Sequence, residues 1–392
     1  MSEIKRKLAT VRTIATISAI EGADRIRKIT FTSCGWQCVT NAPVNIGDKV
    51  VYFEVDSVLP KISLFDWMAT YNYRVKTIKM KGTTSQGLAV PLIEVFQVPE
   101  FFERFNQAVG RGDFGDPRTL ATTPITIGGE FSPSHWYPDP KNLSEGMDLT
   151  DIIGVVKYEI PETAQISGDT KGPFPGFIEK TDELRAQGFE QDVLEKMLAE
   201  HEFDVTVKMD GSSGTYFLFN GEFGVCSRNQ ELKDTESNIF WKMARKYNIE
   251  KRMRKYAATG RMTNFAIQGE VAGPGIQSNR IGLTEVKLFV FTVQNLDTAT
   301  RLDNSEIAFV LDELSHVFDD TFTQDDNCEL FQMVPWVIDV PPLKTLEDVA
   351  KLSEGTFIIT DKVREGIVLR AKDDPSISMK YINPRYLLKW DI

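Results

Sequence analysis

Short alternating runs of apolar and polar residues fill the first 92 positions, and helix-spaced apolar residues fill most gaps in the second half. Residues 9–18, 28–33, 36–40, 49–55, 75–80 and 87–92 each read as a short β-strand. Turn signals separate them: Gly22-Ala23-Asp24, Gly35, Asn45-Ile46-Gly47-Asp48 and Lys81-Gly82. That spacing predicts a small β-barrel, with a generic β-sandwich as the alternative. Residues 183–200, 235–247 and 305–318 carry apolar side chains at helical spacing, as in Ile307, Val310, Leu311, Leu314 and Val317, which are therefore assigned to the core. Between the two halves, residues 94–144 hold Gly/Pro punctuation and scattered aromatics, read as an insertion or connector with no assigned function.

Strand-like alternation returns at Phe203-Asp204-Val205-Thr206-Val207, followed at once by Lys208-Met209-Asp210-Gly211. Gly211-Ser212-Ser213-Gly214 allows a sharp turn with close backbone approach. Next, Thr215 to Phe219 and Glu222 to Ser227 flank Asn220-Gly221, a favoured two-residue hairpin turn, which predicts Lys208 and Arg228 on adjoining strands of one sheet. Further segments stand out in order: Ser227-Arg228-Asn229, Gln268-Gly269-Glu270-Val271-Ala272-Gly273, Leu288-Phe289-Val290-Phe291-Thr292, Arg364-Glu365-Gly366-Ile367-Val368-Leu369-Arg370 and Ser378-Met379-Lys380-Tyr381. Each has an ordinary explanation when taken singly. Arg228 reads as a surface cation, Glu270 as a turn cap, Phe289 and Phe291 as core, Glu365 beside Arg364 as a charge pair, and Lys380 as a solvated strand residue. Their coincidence in one order is what chance does not explain.

In this order and spacing the set resembles motifs I, Ia, III, IIIa, IV and V of the ATP-dependent polynucleotide ligase and capping-enzyme superfamily. The resemblance implies that Lys208 is a nucleophile attacking the α-phosphorus of a nucleotide. A free lysine with pKa near 10.4 is deprotonated in only about one molecule in 2,500 at neutral pH. Lowering that pKa to about 7 takes on the order of 4.6 kcal/mol, which burial and a nearby divalent cation can supply. Asp210, Glu270 and Glu365 are hard oxygen donors suited to one hydrated Mg²⁺ or Mn²⁺, held directly or through water. By the same resemblance Arg228 and Lys380 neutralise phosphate oxygens, Phe291 or else Phe289 stacks on adenine, Val368 covers the other face, and Thr206 with the Val207 backbone reads the base edge. Gly211 and Arg185 join the nucleotide-binding set.

Nothing resembling the OB module that capping enzymes and most DNA ligases carry after motif V follows Lys380; the additional mass lies in front of the motifs. Ile20-Glu21-Gly22-Ala23-Asp24-Arg25-Ile26 resembles tRNA-binding OB domains. An OB module ahead of a nucleotidyltransferase domain resembles the fifth family of ATP-dependent RNA ligases, as do Val155-Val156-Lys157-Tyr158-Glu159, Gly172-Pro173-Phe174-Pro175 and the phrase Phe177 to Arg185. That resemblance implies sealing of 3′-OH/5′-phosphate nicks in duplexes with RNA on the 3′-OH side, through a lysyl-AMP intermediate. The fold expected is α+β: an OB-type barrel over residues 1–92, an insertion and linker over 93–175, and a nucleotidyltransferase domain over 176–392, built on antiparallel sheets with flanking helices. One departure concerns motif V, where Lys380 is followed by Tyr381 and Ile382, leaving Lys389 to be weighed as a second lysine. The alternatives are a capping-type guanylyltransferase and a non-catalytic RNA-binding protein with a ligase-like shell.

Net charge of -11 and a pI near 5.0 speak superficially against a nucleic-acid partner. The distribution changes that reading. Residues 1–92 hold thirteen Lys/Arg against seven Asp/Glu, a net of +6, so the other 300 carry -17. Lys76, Lys79 and Lys81, with the aromatics Trp36, Tyr52, Phe53, Tyr71 and Tyr73, are candidates for a phosphate-tracking surface. The 392 residues, 42% of them apolar, suffice for two cores. No run of 18 apolar residues and no charged-then-apolar leader occurs, and Cys34, Cys38, Cys226 and Cys328 form no Cys-x-x-Cys pair. An intracellular monomer with reduced thiols, no structural zinc and no membrane partner is expected.

Overall fold

The computed structural model describes residues 6–114, 122–127, 130–138, 142–159, 168–316 and 331–390. Val317, Phe318 and Cys328, singled out above, lie outside them. The chain divides into two compact units: Met1–Glu159 with Gln187–Leu194 and Leu387–Ile392, and Ile160–Ala186 with Glu195–Tyr386.

In the first unit the strands are β1 (Ala9–Ile20), β2 (Ala23–Phe31), β3 (Gln37–Thr40), β4 (Lys49–Phe53), β5 (Ser57–Val58), β6 (Thr77–Met80), β7 (Thr83–Gln86) and β8 (Leu88–Pro91). A five-stranded sheet runs β3-β2-β1-β4-β8. β1 bends in the middle: Ala9–Thr13 pair with β4, Ile14 opens the pairing with β2, and a register shift falls between Ile14 and Thr16. Such a bulge lets one long strand serve both sides of a closing barrel. The β6–β7 hairpin turns through Lys81 and Gly82, both at positive φ, as a two-residue hairpin of that hand requires.

Three of the aromatics assigned above to a binding surface are core instead. Trp36 and Tyr52, 2% exposed, pack in one core with Ile14 and Ile29, while Phe53, 0% exposed, points from the opposite face of β4 into a second core with Val11 and Phe65. Tyr73 is half-buried against the same core, while Tyr71, Lys79 and Lys81 are exposed. The unit also runs past residue 92. Helices α1 (Leu92–Phe96), α2 (Pro99–Gly110) and α3 (Thr150–Ile153) send Phe96, Phe101, Phe105, Ile152 and Ile153 into the core that holds Val11, Phe53 and Phe65. Within the range expected as insertion and linker, these helices pack against the barrel. The pair β9 (Thr122–Ile127) and β10 (Glu130–Pro138) is antiparallel, and β11 (Val156–Lys157) pairs with β5.

The second unit holds β12 (Thr170–Pro173), β13 (Leu184–Arg185), β14 (Phe203–Lys208), β15 (Ser212–Phe219), β16 (Glu222–Cys226), β17 (Gln230–Leu232), β18 (Phe265–Ala272), β19 (Lys287–Asn295), β20 (Thr300–Arg301), β21 (Gln332–Met333), β22 (Gly366–Ala371) and β23 (Ser378–Ile382). These make an eight-stranded sheet, β12-β17-β16-β15-β18-β19-β20 with β21 on β19, and a four-stranded sheet, β13-β23-β22-β14. Pairing is antiparallel except for β13 on β23 and β21 on β19. The β15–β16 hairpin turns through Asn220 and Gly221 at φ 50° and 79°, as its sequence predicts.

The remaining helices are α4 (Gln191–Glu200), α5 (Ile239–Lys246), α6 (Ile249–Ala258), α7 (Asn304–His316), α8 (Leu346–Ser353) and α9 (Pro384–Trp390). The helix expected over 183–200 begins only at Gln191, since Leu184 and Arg185 are drawn into β13 and the next three residues form a 3₁₀ turn. Helices α5, α6 and α7 place Met243, Tyr247, Met253, Tyr256, Ile307 and Leu311 against Tyr216, Leu218, Ile267 and Val293 of the eight-stranded sheet. No helix among the described residues is long and apolar enough to cross a membrane.

Candidate active site

Period-two alternation gives the four-stranded sheet one apolar and one chemical face. Val205, Val207, Ile367, Leu369, Met379 and Tyr381 are buried on the first. On the second, register aligns Arg185 of β13 with Lys380 of β23, Lys380 with Val368 of β22, and Val368 with Thr206 of β14. Directly paired residues share a face, so four of the residues singled out from sequence form one row. Lys208 lies two residues beyond Thr206 on that face, opposite Gly366. Glycine is required there, because a Cβ would strike the Tyr381 carbonyl.

Lys208 Nζ donates to both carboxylate oxygens of Glu365, at 2.7 and 2.8 Å. Glu365 immediately precedes β22, and its carbonyl accepts from Asn383 N–H at 2.8 Å. Glu270 arrives from the other sheet, in register with Ser213 of β15 and Phe289 of β19. Gly211 permits the approach: a Cβ on it would meet the Val271 carbonyl and stand 2.9 Å from Glu270 Cγ. Asp210 is buried and receives Arg280 Nη1 at 3.2 and 3.3 Å, with the Tyr386 side chain alongside. Among the described residues no three acidic, His or Cys groups stand close enough together to form a ready-made metal cage.

Electrostatics correct one expectation. Burial on its own pushes Lys208 down, but the carboxylates of Glu365, Glu270 and Asp210 outweigh it and hold the ammonium above the usual lysine range. Burial does not strip this amine of its proton. The acids respond in kind: burial pushes Glu270 up to about 8 despite Lys208, with Glu365 and Asp210 adding to the rise. Glu365 is raised too, first by burial. Arg280 pairs with Asp210 and Lys208 with Glu365, so the three carboxylates share two cations, and all three are hard oxygen donors of the kind a divalent cation takes.

Lys380 and Arg228 meet on a residue that motif reading passed over. Asp182 accepts from Lys380 Nζ at 2.8 Å and pairs with Arg228 Nη2 at 3.1 Å. Arg228 does not lie on a strand adjoining that of Lys208, as expected above; it follows β16 in the eight-stranded sheet, whereas Lys208 ends β14 in the four-stranded one. Burial, then the neighbouring Lys208 charge, lowers the Lys380 pKa, while Asp182 and Glu183 oppose the shift.

Register also separates the two phenylalanines. Gln268 faces Thr292 while Gly269 faces Val290, so Phe291 is the extra residue of a β-bulge. Phe289 is 1% exposed and packs on Phe357, with ring centroids 6.3 Å apart; Phe291 is half-buried at the edge of that core. Arg370 of β22 fixes the bulge by donating to the Phe291 carbonyl at 2.7 Å and to Thr292 Oγ1 at 3.1 Å. Arg280 and Tyr386 had no legible signal, since neither sits in a periodic run and Arg280 follows three non-glycine residues at positive φ, Gln277, Ser278 and Asn279. Lys389 falls in the first unit, its Nζ 5.1 Å from the Trp390 ring centroid.

A family model described as RNA ligase matches residues 201–386, and an OB-fold domain model matches residues 8–92. Residues 201–386 are an RNA ligase domain, and the chain an RNA ligase. Solved structures of a Naegleria gruberi RNA ligase are similar over nearly the whole chain. A glutamate-to-alanine mutant with AMP and Mn is 28% identical, covering 97% of this chain and 98% of its own, at a TM-score of 0.73. A lysine-to-alanine mutant with ATP and Mn covers the same shares at 28% identity and a TM-score of 0.72. The form with PPi is 28% identical over 98% of each chain, also at 0.72. No curated protein sequence matches the chain. Within this RNA ligase, β13, β14, β22 and β23 bring Arg185, Thr206, Lys208, Val368 and Lys380 to one sheet face, and β18 adds Glu270 from the other sheet.

Proposed function

We propose that this RNA ligase seals a 3′-OH to a 5′-phosphate at nicks in duplexes with RNA on the 3′-OH side, using ATP and an AMP adduct on Lys208. The observation that carries the reading is Lys208 Nζ held by Glu365 among three carboxylates, one row from Lys380, Val368 and Thr206. The Naegleria structures with ATP and Mn, AMP and Mn, and PPi support ATP as the nucleotide and Mn²⁺ or Mg²⁺ as the metal.

Asp210, Glu270 and Glu365 would hold the cation, directly or through water. When bound it offsets their charge, which favours the neutral amine, and it stabilises charge growing on the α-phosphate. The chain's own residues do the rest. Lys208 Nζ, once deprotonated, forms a bond to the α-phosphorus while the bond to pyrophosphate breaks. Lys380 and Arg228 neutralise phosphate oxygens, with Arg185 in the same row. Phe291 stacks on the adenine, Val368 covers its other face, and Thr206 with the Val207 backbone reads the base edge. AMP then passes to the 5′-phosphate as the phosphorus–nitrogen bond breaks, and the 3′-OH displaces AMP from that phosphorus to close the strand.

Competing labelled ATP and GTP in the presence of Mn²⁺ tests the reading. It expects a covalent mark from ATP, absent in Lys208→Ala. A preference for GTP would make the chain a guanylyltransferase, and no covalent species would make it a binding protein.

A further inference from the structure

The segment between Ile178 and Arg185 joins the two sheets of the RNA ligase unit, and both of its ends are fastened. At one end, Ile178 is buried with Phe217, Cys226 and Ala266. Glu179 N–H donates to Gln294 Oε1 at 3.0 Å, while its carbonyl accepts from Gln294 Nε2 at 2.6 Å and from Gln268 Nε2 at 3.2 Å. These two glutamines are buried and bonded to each other at 3.0 Å. At the other end, Leu184 and Arg185 pair with Met379 and Lys380. The backbone that carries Asp182 is thus pinned to β18 and β19 on one side and to β23 on the other. Between the pins, its carboxylate takes Lys380 of one sheet and Arg228 of the other.

We propose that Asp182 is a positioning residue that aims Lys380 and Arg228 together at the phosphates of the nucleotide, an inference that rests on the ATP-dependent reading given above. Donor counting decides between an aiming role and a blocking one. Lys380 has three N–H donors and Arg228 five, so a single carboxylate engages a fraction of them and leaves the remainder for a second anion beside it. Held by one acceptor, two long side chains that would otherwise sample many rotamers, and repel each other, stay oriented before the nucleotide arrives. Less ordering entropy is then lost on binding. Asp182 itself touches no reacting atom.

The test measures the Kd of α,β-methylene ATP by calorimetry for the wild-type chain, Asp182→Ala, Asp182→Asn, Lys380→Ala and the Asp182→Ala/Lys380→Ala double variant. Thermal unfolding and labelling by ATP are followed on each. The expected result is about tenfold weaker binding in Asp182→Ala, a smaller loss in Asp182→Asn, which keeps one oxygen acceptor, and only the smaller loss that comes through Arg228 when Asp182→Ala is added to Lys380→Ala. Unfolding temperature stays within a few degrees throughout. Unchanged or tighter binding in Asp182→Ala overturns the inference, tighter binding making Asp182 a competitor of the phosphates. Independent, additive losses in the double variant, or losses that track the unfolding temperature, overturn it as well. A wild-type chain that neither binds the analogue nor takes label overturns the ATP-dependent reading itself, whereas in a wild-type chain that does both, the variants report on Asp182 alone.

Discussion

Lys208 Nζ and the two carboxylate oxygens of Glu365, 2.7 and 2.8 Å apart, form the tightest contact among the sequence-singled site residues, and it holds the proposed nucleophile in its protonated form. Substituting Glu365→Gln removes one charge that keeps the ammonium charged. The pH at which Lys208 becomes reactive toward an acylating probe should therefore fall relative to the wild-type chain without metal. Adenylylation should nevertheless drop by about 10²-fold, because a donor for the cation is lost. Amine reactivity mapped by peptide mass spectrometry across pH checks the first expectation, and ATP labelling the second. A Lys208 titration unmoved by the substitution contradicts this account of its charge.

Glu270 predicts how stability depends on pH. Its carboxyl is raised from 4.5 to about 8 in the folded chain, first by burial, so the native state binds its proton more tightly than the unfolded one. The sign follows: its contribution to stability is complete below about pH 4.5 and is lost as pH climbs through about 8. Metal-free protein should accordingly unfold at lower temperature at pH 9 than at pH 6. Glu270→Gln should flatten that slope, and added Mn²⁺ should restore part of the loss in the wild-type chain only. Calorimetric scans at the two pH values decide it.

Phe289 and Phe291 should separate stability from nucleotide binding. Phe289→Ala empties a fully buried site and should cost about 3–5 kcal/mol of stability. Phe291→Ala, at a half-buried bulge, should leave the unfolding temperature nearly unchanged and raise KM for ATP by roughly tenfold, within the range of base–aromatic stacking. The reverse pattern would place the adenine against Phe289.

Lys79 and Lys81 are exposed on β6 and its turn, within the basic first 92 residues of an acidic chain. Reversing both charges should weaken binding of nicked duplex and reduce the salt slope by roughly 0.9 for each phosphate that is no longer neutralised. Labelling of Lys208 by ATP should persist. Binding isotherms at several salt concentrations check this, and an unchanged slope would clear these lysines of any phosphate-binding role.

Local signals carried far in this chain. The Asn220-Gly221 hairpin and most strands of the barrel follow from period-two alternation and turn chemistry, which act over a few residues, whereas Thr206, Val368 and Lys380 stand out only through motif resemblance. Pairing between distant segments was not legible in the same way. Nothing local says that β14 joins β22 rather than the adjacent hairpin, and so Arg228 was assigned to the wrong sheet. Leu184 and Arg185 have helix-compatible neighbours yet become a strand because β23 offers them a parallel edge. Trp36, Tyr52 and Phe53 are core because β4 is covered on both faces, Tyr52 meeting Trp36 on one and Phe53 meeting Phe65 on the other. Asp182 and Arg280 stayed hidden because an acid or a base in a loop becomes informative only once its partner is placed beside it.

The most direct test is to incubate the chain with ATP and Mn²⁺, digest it, and locate the added mass by tandem mass spectrometry. The account predicts one AMP on the peptide containing Lys208, attached through an acid-labile phosphoramidate and absent from Lys208→Ala. AMP on another residue, or an equal yield of adduct in Lys208→Ala, would contradict it.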